Sequence, residues 1–242
     1  MPEKRKLLIM GDSISLGVAE LRINEIVGYV QPAYTDILRK DLLDVDIVID
    51  ADIHRTTSAT LGVVDGLLSS HRPNAVLLML GGNDADVEWR RFVISDGRIA
   101  RSRVKLETYA ANLEALAGRV RNAGGLPVLT DMPNHNLATR GPYLSMLSGK
   151  DVTGMIAAGG GQETSDAGLQ LYRNAAARVA QDLNCPFVAY GENLRHYPLE
   201  KMSGVDGVHP SAMAHQLIAQ QLLPVLQAAI RPDPKRLQGT RA

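Results

Sequence analysis

Three short polar motifs carry the residue types that acyl transfer uses. Gly11-Asp12-Ser13 offers an alcohol, Gly81-Gly82-Asn83-Asp84 a neutral amide donor, and Asp206-Gly207-Val208-His209-Pro210 a base with a carboxylate three residues before it. A serine hydroxyl is a poor nucleophile until a neutral histidine takes its proton, and the oxyanion formed on attack needs donors already in place. A short turn over the Asp206–His209 spacing can bring the carboxylate to one imidazole nitrogen. The other nitrogen then remains to face a serine.

Taken singly, each motif has a plainer reading. Glycine followed by Asp and Ser is a common exit from a strand, Gly82-Asn83 suits a turn, and the histidine segment has the form of a helix entry with a solvated imidazole. Pro210 suits the first turn of such a helix. Position separates the two readings. The first two motifs follow directly on the apolar runs Lys6-Leu7-Leu8-Ile9-Met10 and Ala75-Val76-Leu77-Leu78-Met79-Leu80. Both therefore emerge at the carboxyl end of a buried strand, where open α/β sheets place their sites.

Other chemistries fail on spacing. The Gly-x-Ser-x-Gly elbow is absent, because Ser13 is followed by Ile14-Ser15-Leu16-Gly17. No His-Glu-x-x-His occurs, and His209 and His215 are six residues apart, so no metal is expected. Gly159-Gly160-Gly161-Gln162-Glu163-Thr164 lacks the lysine of a phosphate loop, and no Gly-x-Gly-x-x-Gly follows a strand, so no cofactor is expected. His54, His71, His135 and His196 read as surface or satisfied structural histidines.

The elements that must position these motifs are legible as alternation. Strand-like runs at 6–10, 45–50, 75–80, 127–130 and 186–189 alternate with helix-like segments at 32–43, 58–70, 106–123, 165–183 and 211–230. Such a pattern predicts a single doubly wound α/β domain, a parallel sheet with helices on both faces, over residues 1–230. Residues 231–242, with two prolines and scattered basic side chains, read as a flexible tail. Segments 85–105 and 132–164 interrupt the alternation at the edge that carries the motifs. Because 132–164 holds Tyr143, Leu144, Met146, Leu147, Met155 and Ile156, it is expected to help build a substrate pocket, with a plain helical decoration as the alternative.

Composition excludes several classes of partner. The 26 Lys and Arg residues balance 26 Asp and Glu, so no electrostatic footprint for nucleic acid is present. No run approaches the roughly 20 apolar residues of a membrane span. The lone Cys185 rules out an intrachain disulfide and suits reducing cytosol, so a soluble cytoplasmic protein is expected. Oligomeric state is not legible in the sequence.

From Leu7 to about Leu223 the chain resembles the GDSL-type, or SGNH, hydrolases. The resemblance implies a flavodoxin-like sheet and a serine esterase working through an acyl-enzyme on a small-molecule ester. It assigns the nucleophile to Ser13, the base and its orienting acid to His209 and Asp206, and an oxyanion donor to Asn83. The backbone N–H of Ser13 is a second donor. The third family position, usually a glycine after the second strand, falls on Arg55 within Ala51-Asp52-Ile53-His54-Arg55-Thr56-Thr57-Ser58. Its N–H could still donate, and its guanidinium would lie near an anionic part of a substrate. Gly62, the nearest glycine, reads as a packing residue. Thioester hydrolysis and acyl transfer use the same machinery, and a non-catalytic binding protein could keep the fold.

Overall fold

The computed structural model describes residues 4–22 and 25–231. Of the tail expected over 231–242, all but Arg231 therefore lies outside the described residues. Strand β1 (Arg5–Gly11) leads through an antiparallel hairpin, β2 (Val18–Arg22) and β3 (Glu25–Tyr29), to helix α1 (Tyr34–Asp41) and strand β4 (Val45–Ala51). Helices α2 (Thr57–Leu61) and α3 (Val64–His71) return the chain to β5 (Ala75–Met79). Short helices α4 (Gly82–Ala85) and α5 (Trp89–Ile94) precede the long α6 (Leu106–Asn122) and β6 (Leu126–Thr130). Then come α7 (Leu137–Ser148), α8 (Val152–Ala158), α9 (Gly161–Asp182), β7 (Phe187–Val188), α10 (Tyr190–Leu194), α11 (Leu199–Met202) and α12 (Ala212–Ile230).

The central sheet has five parallel strands in the order β4-β1-β5-β6-β7. Numbered within that sheet alone, this is the doubly wound order 2-1-3-4-5, whose direction of winding reverses between β1 and β5. The crevice at that reversal opens just beyond Gly11 and Met79. Two of the three motifs begin there.

Both faces of the sheet are covered at its inner strands, which is why β1 and β5 read as apolar runs, while the edge strand β4 carries Asp46 and Asp50 and is only partly buried. On β1, Leu7 and Ile9 pack with Tyr34 and Leu38 of α1 and with Ile218 and Leu222 of α12. Leu8 and Met10 face the other way, onto Leu113 and Leu116 of α6 and Val179 of α9. All four β1 side chains are fully buried, each worth about 1.5–3 kcal/mol of transfer free energy.

The structure alters the expected elements in three places. The segment expected as one helix over 58–70 divides at Gly62, which caps α2 instead of packing inside a longer helix. Ser211 is the N-cap of α12 and accepts the Ala214 N–H at 3.2 Å, so Pro210 sits just before the helix and not in its first turn. The β2–β3 hairpin adds to the alternation, and its Leu21 reaches the crevice.

A buried histidine ties α12 to α1. His215 accepts the Tyr34 N–H on Nδ1 at 3.2 Å, while its Nε2 is buried with no partner among the described residues. Burial lowers its pKa to about 4, helped by the nearby His209. A folded-state value below the unfolded one means stability present at neutral pH and lost as pH falls from about 6.5 towards about 4. His215→Leu is expected to cost about 1–3 kcal/mol at pH 8, because the Tyr34 N–H is left unpaired. The gap to the wild type should narrow over that acid window, measured by urea unfolding at a series of pH values. A constant gap would show that His215 is not held neutral.

Candidate active site

The nucleophile candidate stands on a tight turn made by its neighbours. Asp12 accepts the Ile14 N–H on Oδ1 at 2.9 Å, and its carbonyl accepts the N–H of Ser15 at 3.0 Å. The turn lifts Ser13 out of β1 into the crevice, where its Oγ lies 2.9 Å from Nε2 of His209. Desolvation by burial raises the Asp12 carboxyl to about 6, although the Ile14 N–H and the nearby imidazole of His209 oppose this.

The Asp206–His209 turn closes on itself as its spacing suggests. Oδ1 of Asp206 accepts the N–H groups of Val208 and His209, both at 3.0 Å. Oδ2 meets Nδ1 of His209 at 2.6 Å and accepts the Leu21 N–H of β2 at 3.3 Å. Gly207 sits in the turn at φ +73, where a Cβ would overlap the backbone of Asn136 and Arg140, so only glycine fits. Burial alone would raise the Asp206 carboxyl. The hydrogen bond and charge of His209, with the two N–H groups, outweigh it and hold the group below the usual carboxylate range.

Gly81 leaves β5 at φ +123 with its α-carbon against Met132 and Tyr109, again a position for glycine. The next turn brings Asn83 to the crevice, where its Nδ2 donates to Oδ2 of Asp12 at 3.1 Å. Asp12 thus braces the serine turn with one oxygen and the asparagine with the other. Asp84 is fully buried and serves the scaffold. Both its oxygens accept the Thr57 N–H at 3.1 Å, and Asn112 of α6 donates to the Thr57 hydroxyl at 2.9 Å. This network clamps the loop after β4 against the loop after β5.

Ser13, Asn83, Asp206 and His209 are therefore brought together. Arg55 is placed differently. Its guanidinium turns back onto Asp50 in an ion pair, and its N–H points to the Asp52 carbonyl at 3.4 Å. The residue of that loop that lines the crevice is His54, whose backbone is left-handed at φ 59.

The crevice itself holds a cavity of about 50 Å³, with walls that include His54, Asp86, Arg103, His135 and Arg140. Apart from His54, these come from the two segments that interrupt the alternation. His135 is buried, which lowers its pKa, and its Nδ1 lies 3.6 Å from Asp86. The expected pocket role of 132–164 falls on Pro133, His135 and Arg140. Met146 is 64% exposed, and Met155 packs on a side cluster with Phe92, Val152 and Ile156. A second cavity of about 270 Å³ adjoins the first across Pro133 and Val208, which line both. Among the described residues, no three His, Cys, Asp or Glu side chains group into a metal site, and no helix is long and apolar enough to cross a membrane.

The profile of the GDSL-like Lipase/Acylhydrolase family matches residues 9–217. The chain belongs to that family. It is accordingly an ester-hydrolysing serine hydrolase. No curated protein sequence matches it. Its fold is similar to that of a lipase/acylhydrolase from Enterococcus faecalis, at 19% identity and a TM-score of 0.67 over 95% of this chain and 98% of the other. It is also similar to the acetylxylan esterase Axe2 from Geobacillus stearothermophilus, at 19% identity and 0.62 over 93% and 96%. The psychrotrophic esterase EstA from Pseudoalteromonas sp. aligns at 16% identity and 0.61 over 97% and 100%. Among members of this GDSL-like family, then, the present chain keeps the whole domain at low identity.

No motif marks His54, His135, Arg103 or Arg140 in the sequence. For His135, Arg103 and Arg140, a basic or imidazole side chain in a long insertion at the catalytic edge was the one available signal.

Proposed function

We propose that this GDSL-like hydrolase cleaves esters of short acids through a Ser13 acyl-enzyme. The observation that carries the reading is the continuous hydrogen-bonded relay from Ser13 Oγ through His209 to Asp206, at 2.9 and 2.6 Å. His209 takes the serine proton as Ser13 attacks the carbonyl and returns it to the leaving alcohol. Water then repeats the sequence on the acyl group. Asp206 holds the proton of His209 on Nδ1, so that Nε2 is the basic nitrogen.

The oxyanion is received by the Ser13 N–H and by Asn83, whose second amide hydrogen is not used by Asp12. For Arg55 to act as a third donor, its N–H has to exchange the Asp52 carbonyl for the substrate oxygen. At 3.4 Å that bond is weak, and the exchange costs little. A cavity of about 50 Å³ takes a group of only a few heavy atoms beside Ser13, which favours acetyl over long acyl chains.

One assay series tests the reading. p-Nitrophenyl acetate should be turned over well ahead of the octanoate, and Asn83→Ala should lower kcat on the acetate by about 10²–10³ with KM little changed. An enzyme that prefers octanoate refutes the short acyl group. An Asn83→Ala variant that is folded and fully active refutes the oxyanion role.

A further inference from the structure

Arg140, at the mouth of the relay, is a cation without a counter-ion among the described residues. Its guanidinium lies over the rings of Trp89 and Tyr143, at 5.7 and 5.9 Å, and one nitrogen donates to the Asp206 carbonyl at 3.3 Å. Its Nε is buried and makes no hydrogen bond among the described residues. No carboxylate lies within ion-pair distance of it among those residues. The Asp206 carboxylate is taken up by its own turn, Leu21 and His209, so the arginine meets only that residue's carbonyl.

Arg103, on the same cavity, is matched by Asp86 at 3.5 Å, yet its Nε is also buried and unpaired. Asp86 is in turn shared with the Trp89 indole at 2.8 Å and with His135. Two guanidiniums and three imidazoles thus line the small space beside Ser13 with two carboxylates, of which Asp12 is taken up by Ile14 and Asn83 and Asp86 by Trp89, Arg103 and His135. The aromatic rings hold Arg140 in place, so little side-chain entropy remains to be lost when a ligand binds it.

From this we infer that the substrate is an ester carrying a carboxylate or similar oxyanion close to the scissile bond, bound by Arg140 with Arg103 beside it. The inference rests on the reading of Ser13 as the esterase nucleophile. A purely structural Arg140, tethering the Asp206 turn, would affect neutral and anionic esters alike. Recognition of an anion separates them, because a charge-assisted hydrogen bond is lost for one substrate only.

Two matched pairs of esters test it and locate the charge. For an anion on the alcohol half, 4-acetoxybenzoate is compared with methyl 4-acetoxybenzoate; for the acyl half, mono-4-nitrophenyl succinate is compared with 4-nitrophenyl butyrate. The wild type is expected to show a kcat/KM at least about tenfold higher for the anionic member of one pair. Arg140→Gln should reduce that ratio by about tenfold, chiefly through KM, and Arg140→Lys should keep part of it. Wild-type ratios at or below one in both pairs overturn the inference without any variant, as does a ratio that Arg140→Gln leaves intact. Hydrolysis of the neutral esters in those cases leaves the esterase reading standing. No hydrolysis of any ester, with no fluorophosphonate label on Ser13, overturns that reading and this inference with it.

Discussion

Ser13→Ala is expected to fold as the wild type does and to lose about 10⁴-fold or more of its kcat/KM on p-nitrophenyl acetate, together with labelling by a fluorophosphonate. The side chain is small and nearly buried, so removing one oxygen leaves little cavity and no stranded partner other than His209. No neighbouring hydroxyl can stand in. Ser15 is two residues on, but it is 1% exposed and its Oγ is bonded to the Tyr34 hydroxyl at 2.7 Å, under the turn. Steady-state kinetics and mass spectrometry of the labelled protein measure the loss, with a thermal melt as the control for folding. Turnover close to that of the wild type would remove Ser13 as the nucleophile.

The second large effect is expected from Asp206→Asn, about 10⁴-fold in kcat with modest change in KM. The amide oxygen can still accept the Val208 and His209 N–H groups that Oδ1 takes now. Its nitrogen then faces Nδ1 of His209 and the Leu21 N–H, where Oδ2 accepts at 2.6 and 3.3 Å. Donor against donor forces the imidazole into the other tautomer. Nε2 then carries the hydrogen and cannot take the serine proton.

The same exchange tests linkage. Despite its burial, Asp206 is held below the usual carboxylate range by His209, so its contribution is present at neutral pH and fades as pH falls through the folded-state value. The wild type should be more stable than Asp206→Asn at neutral pH, by an amount that shrinks in strong acid. Stability curves that stay parallel down to the acid limit, with kcat preserved, would show that the carboxylate only shapes the turn.

Much of this architecture can be read before any coordinates. The inner strands β1 and β5 read as apolar runs because both faces are buried, and α6 and α12 announce themselves by helical periodicity. Ser13 and Asn83 are recognisable because each follows a strand directly, and Asp206 and His209 because a local turn joins them. Local chemistry has local signatures. The division of the helix at Gly62 was not legible, since the short α2 is fixed by a tertiary contact, the Thr57 N–H donating to Asp84 from the loop after β5, as well as by its own cap Thr56.

Sequence by itself determined the parallel sheet, the turns at Gly82-Asn83 and over Asp206–His209, and the set of polar residues that reach the carboxyl edge. Tertiary structure decided which of them meet. Ser13 and His209 are separated by 196 positions, and their 2.9 Å contact exists because the strand order sets β1 beside β5 while α12 packs under both. The walls are less legible still. His135 and Arg140 come from an insertion whose helices are held by a side cluster of Phe92, Leu137, Val152 and Ile156, and Leu21 comes from a hairpin. Side chains gathered from such distant segments share no spacing, so only packing can say that Arg140 faces the cavity and Met146 faces water.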